Sequence, residues 1–237
     1  MKLNTVFFNT RLTRTFLLTA AAGIAILFNA CKQDDVVYTP TIAALSIVNA
    51  SPNSPSLDFY IDNQRVNTNG LLFGDKIEYQ RAYQGNRNTS VAVTGAQTPL
   101  ITKTINLVAA QYHSLYIVGN QESLDYVLLK DDETDPAATK AKVRFVNLSP
   151  DAPALNLEVV GDATPFTDLA YKAFTPFKDV TPATATLKLT NKTTGALVAT
   201  LENVELKKGK TYTIWAKGLV TTTVDAQKLS IKVTEHG

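Results

Sequence analysis

ALSIVNASPNSPSLDFYID at residues 44–62 returns ninety-eight positions later as KVRFVNLSPDAPALNLEVV at residues 142–160. Asn49, Ser51, Pro52, Pro55 and Leu57 recur as Asn147, Ser149, Pro150, Pro153 and Leu155. A period this long exceeds the roughly 20–50 residues of solenoid units, so it reads as a duplicated domain. Within each copy the residues alternate. Leu57, Phe59 and Ile61 share one face, and Asp58, Tyr60 and Asp62 the other. Leu155, Leu157 and Val159 repeat the pattern. Period two is the mark of a half-buried strand.

The same reading extends outward. Further strands are predicted at 43–49, 77–83, 89–95, 101–107, 112–118 and 124–129 in the first copy. The second adds 142–148, 168–171, 184–190, 197–204, 211–217 and 228–234. Thr, Val, Leu and Ile dominate them, with Gly, Pro, Asn and Asp between. About seven short strands per copy predict an all-β chain of two tandem immunoglobulin-like antiparallel β-sandwich domains. Residues 43–130 and 142–237 hold the repeats. The acidic stretch from Asp131 to Pro136 opens a solvated linker over 131–141. It lacks the glycine and spacing of a calcium loop, so no metal is expected there.

Asn-x-Ser-Pro-x-x-Pro follows a strand in both copies. Asn and Ser side chains can bond nearby backbone, and each proline fixes φ near −65°. Asn49, Ser51, Pro52, Pro55, Asn147, Ser149, Pro150 and Pro153 are therefore read as a structural turn motif. These residues, within VRFVNLSPDAPALNLEV, carry a resemblance to the domain of unknown function 4397. Phe73 and Tyr171, each followed six residues on by Tyr79 and Phe177, fit it too, as does Gly209-Lys210-Thr211-Tyr212. Two copies together would cover nearly all of 43–235. The resemblance implies a β-sandwich and a bacterial envelope location. It implies no activity.

The N-terminus supplies an address. Lys2, Arg11 and Arg14 precede an apolar run from Phe16 to Phe28 that stops at Asn29-Ala30-Cys31. Thirteen residues are too few to span a bilayer of about 30 Å. They suit a secretory signal over 1–30. Cys31 is the chain's only cysteine, and its setting resembles a bacterial lipoprotein signal, which implies cleavage before Cys31 and its lipidation. Residues 31–42 are then the lipidated Cys and a flexible tether. Lys32, Gln33, Asp34 and Asp35 are similar to the surface-export signal of Bacteroidetes lipoproteins. The expected location is the outer membrane, lipid-anchored and facing the exterior. Removing residues 1–30 takes away three cations and leaves 20 Lys+Arg against 21 Asp+Glu. No basic field remains to suggest nucleic acid.

Chemistry is sparse. His113 and His236 are the only histidines, neither in a metal-ligand spacing, and His236 is expected to fray as the penultimate residue. No nucleophile elbow or phosphate-binding glycine loop occurs. Asp58 and Asp62 would stand about 13 Å apart along one strand face. They read as solvated charges, so no enzyme and no cofactor is expected. An enzyme would need a deep cleft at 131–141 holding two carboxylates. The aromatics Trp215, Tyr116 and Tyr60 alternate outward from the core and are the candidate ligand-binding residues. Such rings could stack on a glycan, anchor a protein partner, or be covered by the other domain. The function expected is a non-catalytic envelope lipoprotein that binds a protein or matrix partner, with carbohydrate capture by those aromatics as the rival.

Overall fold

The computed structural model describes residues 41–131 and 134–236. The first copy has eight strands: β1 Ile42–Asn49, β2 Leu57–Ile61, β3 Gln64–Arg65, β4 Lys76–Tyr83, β5 Gly85–Val93, β6 Pro99–Leu107, β7 Tyr112–Asn120 and β8 Ser123–Lys130. The second has β9 Ala141–Asn147, β10 Leu155–Val159, β11 Phe166–Leu169, β12 Lys178–Val180, β13 Ala183–Asn191, β14 Leu197–Leu206, β15 Thr211–Lys217 and β16 Ser230–His236. The short β3 and β12 escaped the periodicity reading, because two or three residues carry too little alternation to register.

Each copy is a pair of four-stranded sheets. In the first, β4-β1-β7-β8 faces β3-β2-β5-β6. In the second, β12-β9-β15-β16 faces β11-β10-β13-β14. The chain is thus all-β with two tandem sandwiches. The sheets are not wholly antiparallel, however. β1 runs parallel to β7, and β9 runs parallel to β15, in the same register of each copy. The first strand of each sandwich is inserted between two later ones, and alternation alone does not encode that pairing.

Cores form where the alternation places them. Leu45, Ile47, Leu57, Phe59, Leu115 and Ile117 fill the first sandwich. Val143, Phe145, Leu155, Leu157, Phe166, Leu187 and Ile214 fill the second. A third cluster lies between the sandwiches. It joins Val48, Ala50, Tyr116, Val118, Val127 and Leu129 of the first copy to Val146, Leu148 and Trp215 of the second. The β4-β1-β7-β8 and β12-β9-β15-β16 sheets are therefore inner sheets, buried on both faces, and the molecule is four layers deep along this stack.

The strands of the two copies run in the same sense across this seam. Arg144, near the start of β9, reaches the Lys130 carbonyl and Asp131, at the end of β8. At the other extreme Lys172, beyond β11, reaches Asp125, near the start of β8. One end of the molecule thus gathers Thr41, Asp131, residues 134–141 and His236; we call it the root end. The opposite end gathers the Asn-x-Ser-Pro turns and the 94–98, 121–122, 192–196 and 218–229 connections; we call it the loop end.

Candidate functional site

Trp215 and Tyr116 do point away from their own cores, but onto each other. Both are fully buried, with ring centroids 5.9 Å apart in a T-shaped contact. The Trp215 indole donates to Thr234 Oγ1 at 3.2 Å. Neither ring can stack on an external ligand, so both are withdrawn as binding residues. They are seam residues. Tyr60 is half-buried on the face of β2 turned away from the core, and it is the one of the three that solvent reaches.

Asp58 is also corrected. It is 1% exposed, not solvated. Arg65 pairs with it at 2.7 Å, Asn67 donates to it at 3.0 Å, and the Gly95 amide donates to its other oxygen at 3.1 Å. Strand β3 and two loops beyond β2 cover the outward face and supply these partners.

The seam holds a closed ring of polar side chains at the root end. Arg144 is 2% exposed and Asp131 3% exposed, and they form an ion pair. Asp131 is therefore part of the interior and not of a solvated linker. Arg144 Nε donates to Thr213 Oγ1 at 2.8 Å, and Thr213 faces His236 Nε2 at 2.7 Å. His236 Nδ1 faces the Tyr79 hydroxyl at 2.7 Å, and that hydroxyl donates to Asp131 Oδ2 at 2.8 Å. Ser114 donates to the same oxygen at 2.8 Å. One proton assignment satisfies every contact. Thr213 receives from Arg144 and donates to Nε2, while neutral His236 donates from Nδ1 to Tyr79. His236 is thus held at both ring nitrogens and does not fray. Burial, with Arg144 and Lys76 nearby, pulls its imidazole down to about 4, against the opposing pull of Asp131 and Glu78. Burial and the Asp131 carboxylate push the Tyr79 phenol well up.

A hollow of about 330 Å³ opens beside this ring, lined by Tyr79, Tyr112, Asp131, Asp135, Lys210 and His236 among others. It contains two carboxylates at the 131–141 junction. Both Asp131 oxygens already accept bonds, one from Arg144 on Oδ1 and two from Tyr79 and Ser114 on Oδ2, so three of its about four acceptor positions are taken and the carboxylate is held in the ring rather than presented to the hollow. Among the described residues no group of three or more His, Cys, Asp or Glu could hold a metal ion.

The turn motif at the loop end is tied down. Asn49 Oδ1 accepts the Ser51 amide at 3.0 Å and its Nδ2 donates to the Leu71 carbonyl at 3.1 Å. Asn147 repeats both bonds, at 3.1 Å to the Ser149 amide and 2.9 Å to the Leu169 carbonyl. Ser51 Oγ then donates to the Gly119 carbonyl at 2.9 Å, and Ser149 Oγ to the Gly218 carbonyl at 2.7 Å. Each motif locks the end of the first strand to the end of its parallel neighbour. The prolines Pro52 and Pro150 sit at the turns that follow. Around this frame Leu72, Leu197, Val220 and Val224 are exposed. Tyr83, Val108 and Tyr112 are exposed at the root end.

Cys31 and the Lys32, Gln33, Asp34 and Asp35 segment lie outside the described residues. The ring of Arg144, Asp131, Thr213, His236 and Tyr79 went unread in the sequence. Its members are scattered over 157 positions, and no spacing in the sequence links them.

Residues 43–158 match the family model of a domain of unknown function, DUF4397. The match covers the first sandwich and runs through β9 into β10, taking in the turn motifs of both copies. Comparison with curated proteins gives no match. Among solved structures, the chain is similar to a family 26 carbohydrate-binding module of Eubacterium rectale Amy13K in complex with maltoheptaose, at 12% identity over 81% of this chain and 96% of that one, with a TM-score of 0.27. It is similar to family 41 carbohydrate-binding modules from streptococcal virulence factors at 11% identity over 80% and 96%, with a TM-score of 0.25. The fimbrial anchor protein Mfa2 of Porphyromonas gingivalis follows at 9% identity over 83% and 98%, with a TM-score of 0.20. At scores this low the likeness carries no weight for ligand or role.

Proposed function

We propose that this chain is a non-catalytic binding or adhesion module of the bacterial envelope, anchored in the outer membrane through a lipidated Cys31 and facing the exterior. One observation carries the reading. Both sandwiches send their Asn-x-Ser-Pro loops to one end, and the first strand, β1, enters at Ile42 at the other. A tether over 31–42 would hold the root end toward the membrane and present the paired loops outward. The exposed Leu72, Val220 and Val224 on neighbouring loops of the same end suit contact with an envelope or extracellular partner, protein or glycan. The occupied oxygens of Asp131 weigh against catalysis in the junction hollow.

Carbohydrate capture by Trp215 and Tyr116 no longer stands, because both rings are buried. Only Tyr60 remains of that set, and unchanged polysaccharide binding in Tyr60→Ala would close it.

Protease shaving of intact cells tests the main reading. Rapid loss of residues 41–237, with an intracellular control spared, is the expected result. Protection until the outer membrane is broken would place the sandwiches in the periplasm and end the outward-facing proposal.

A further inference from the structure

The two copies pack about a local pseudo-twofold, and at the loop end a pair of lysines breaches it. Aligning Gly119 with Gly218 makes Tyr116 the counterpart of Trp215 and Val118 that of Lys217. The ladders agree, since Val127 stands opposite Tyr116 and Lys232 opposite Trp215. Phe73-Gly74 of the first copy likewise corresponds to Tyr171-Lys172 of the second. On one side of the seam Tyr171 packs against the cluster containing Val118 and Val127. The adjacent Lys172 is neutralised by Asp125 at 2.6 Å. On the other side the valines are replaced by Lys217 and Lys232, and Asp125 by Ser230.

Both replacing ammonium groups converge on one spot. A methyl built on Gly74 would stand 3.4 Å from the Lys232 Nζ and 3.8 Å from the Lys217 Nζ. Lys232 donates to the Gly74 carbonyl, and Lys217 lies over the Phe73 ring at 4.3 Å from its centroid. Neither forms a salt bridge with a carboxylate among the described residues. Lys232 borders a groove of about 310 Å³ that is lined also by Val48, Gly74, Lys76, Glu78 and Glu235 and floored by Trp215, and Lys217 approaches it at Gly74. The acids there are already matched, Glu78 by Lys76 at 2.6 Å and Glu235 by Lys210 at 3.1 Å. Burial, with the neighbouring Lys232 charge as the lesser cause, pulls the Lys217 ammonium down.

We infer that the Lys217–Lys232 pair at Gly74 is an oxyanion site, taking a sulfate or carboxylate group. The opposite side of the seam shows that valines close the same junction, so two uncompensated cations are not needed to seal it. Like charges this close are unfavourable unless an anion joins them. A planar or tetrahedral oxyanion bridging two ammonium groups makes charge-assisted hydrogen bonds to both. The inference is independent of the loop-end reading and survives its failure.

Trp215 is the chain's only tryptophan and forms the groove floor, so its fluorescence reports occupancy directly. The full chain in detergent is titrated with sodium sulfate in one arm and chondroitin sulfate in another, with sodium chloride at matched ionic strength as reference. A saturable change absent with chloride is expected. Response to both arms identifies a site open to the free anion, and response to the polymer alone identifies a polymer-borne group. The Lys217→Val/Lys232→Val variant, which copies the other side of the seam, should unfold no more easily than the parent and lose the response. Should that variant fold poorly, Lys217→Gln serves, with a weakened response expected. No saturable change in either arm, the same change with chloride, or an unaltered response in a folded variant would overturn the site.

Discussion

Arg144 carries a full charge at 2% exposure, and Asp131, Thr213 and the Lys130 carbonyl take up its donors. Replacing it strands the Asp131 carboxylate inside the seam. Breaking a buried pair from one side costs about 3–5 kcal/mol. Arg144→Ala should lose that much by urea unfolding, and Arg144→Met with Asp131→Leu should lose clearly less. Equal losses would mean that the stranded charge is not the cause. His236 closes the same ring, and its titration has a definite sign. Its folded value, about 4, lies below the ordinary 6.5. A base held neutral by the fold contributes stability that is complete above 6.5 and drains away as pH falls toward 4. The gap corresponds to a ceiling of about 3.4 kcal/mol, at 1.36 kcal/mol per pKa unit. His236→Gln should remove the slope between pH 6.5 and 4, while the lower window set by the depressed Asp125 and Asp162 carboxyls persists. An unchanged slope in urea midpoints across pH would show that His236 is not its source.

At the scale of the element, the strands show what alternation can and cannot tell. β10 and β13 alternate cleanly, and their inward residues could be named from the sequence. β7 is different: Leu115, Tyr116, Ile117 and Val118 are apolar at both parities, and all are buried. β9 and β15 share this, with Val143, Phe145 and Val146, and with Ile214, Trp215 and Ala216. A near-continuous apolar run is the sign of a strand buried on both faces. That signal was legible and would have moved Tyr116 and Trp215 from the surface to an interface. The burial of Asp58 was not legible, because Asn67, Thr94 and Gly95 reach it from separate loops. The motif shows the same limit. Asn and Ser were readable as local backbone partners, but not the reach of Ser51 to Gly119, since that depends on the parallel pairing of β1 with β7. The tie makes Gly119 demanding. Its φ is +92°, and a methyl there would meet the Ser123 carbonyl oxygen at 2.3 Å. Gly209, at φ +75°, has nothing within 4 Å. Gly209→Ala should cost about 1 kcal/mol, the strain of a left-handed backbone alone, and Gly119→Ala at least about 3. Similar losses in thermal melting would refute the packing argument.

At the scale of the molecule, the question is whether two sandwiches unfold as two bodies or one. Their separate cores would allow independence. The seam argues otherwise, because it joins an apolar cluster centred on Trp215 and Tyr116 to the ring of Arg144, Asp131 and His236, and neither is complete within one copy. Unfolding one sandwich alone would expose that cluster on the other and leave half of a buried ion pair. The wild-type chain should therefore show a single calorimetric transition. Trp215→Ala removes the largest seam side chain, at a cost of about 3–5 kcal/mol. It leaves both sandwich cores intact, so the transition should split in two, with the second sandwich unfolding separately from the first. Two transitions already present in the wild type, or a single one that merely shifts down in Trp215→Ala, would mean that coupling does not run through the ring pair. If coupling does run through it, the rigid pairing of the two loop sets follows. The turn frames at Asn49 and Asn147 are then held in fixed register, and a partner that spans both copies meets one preformed surface rather than two tethered ones.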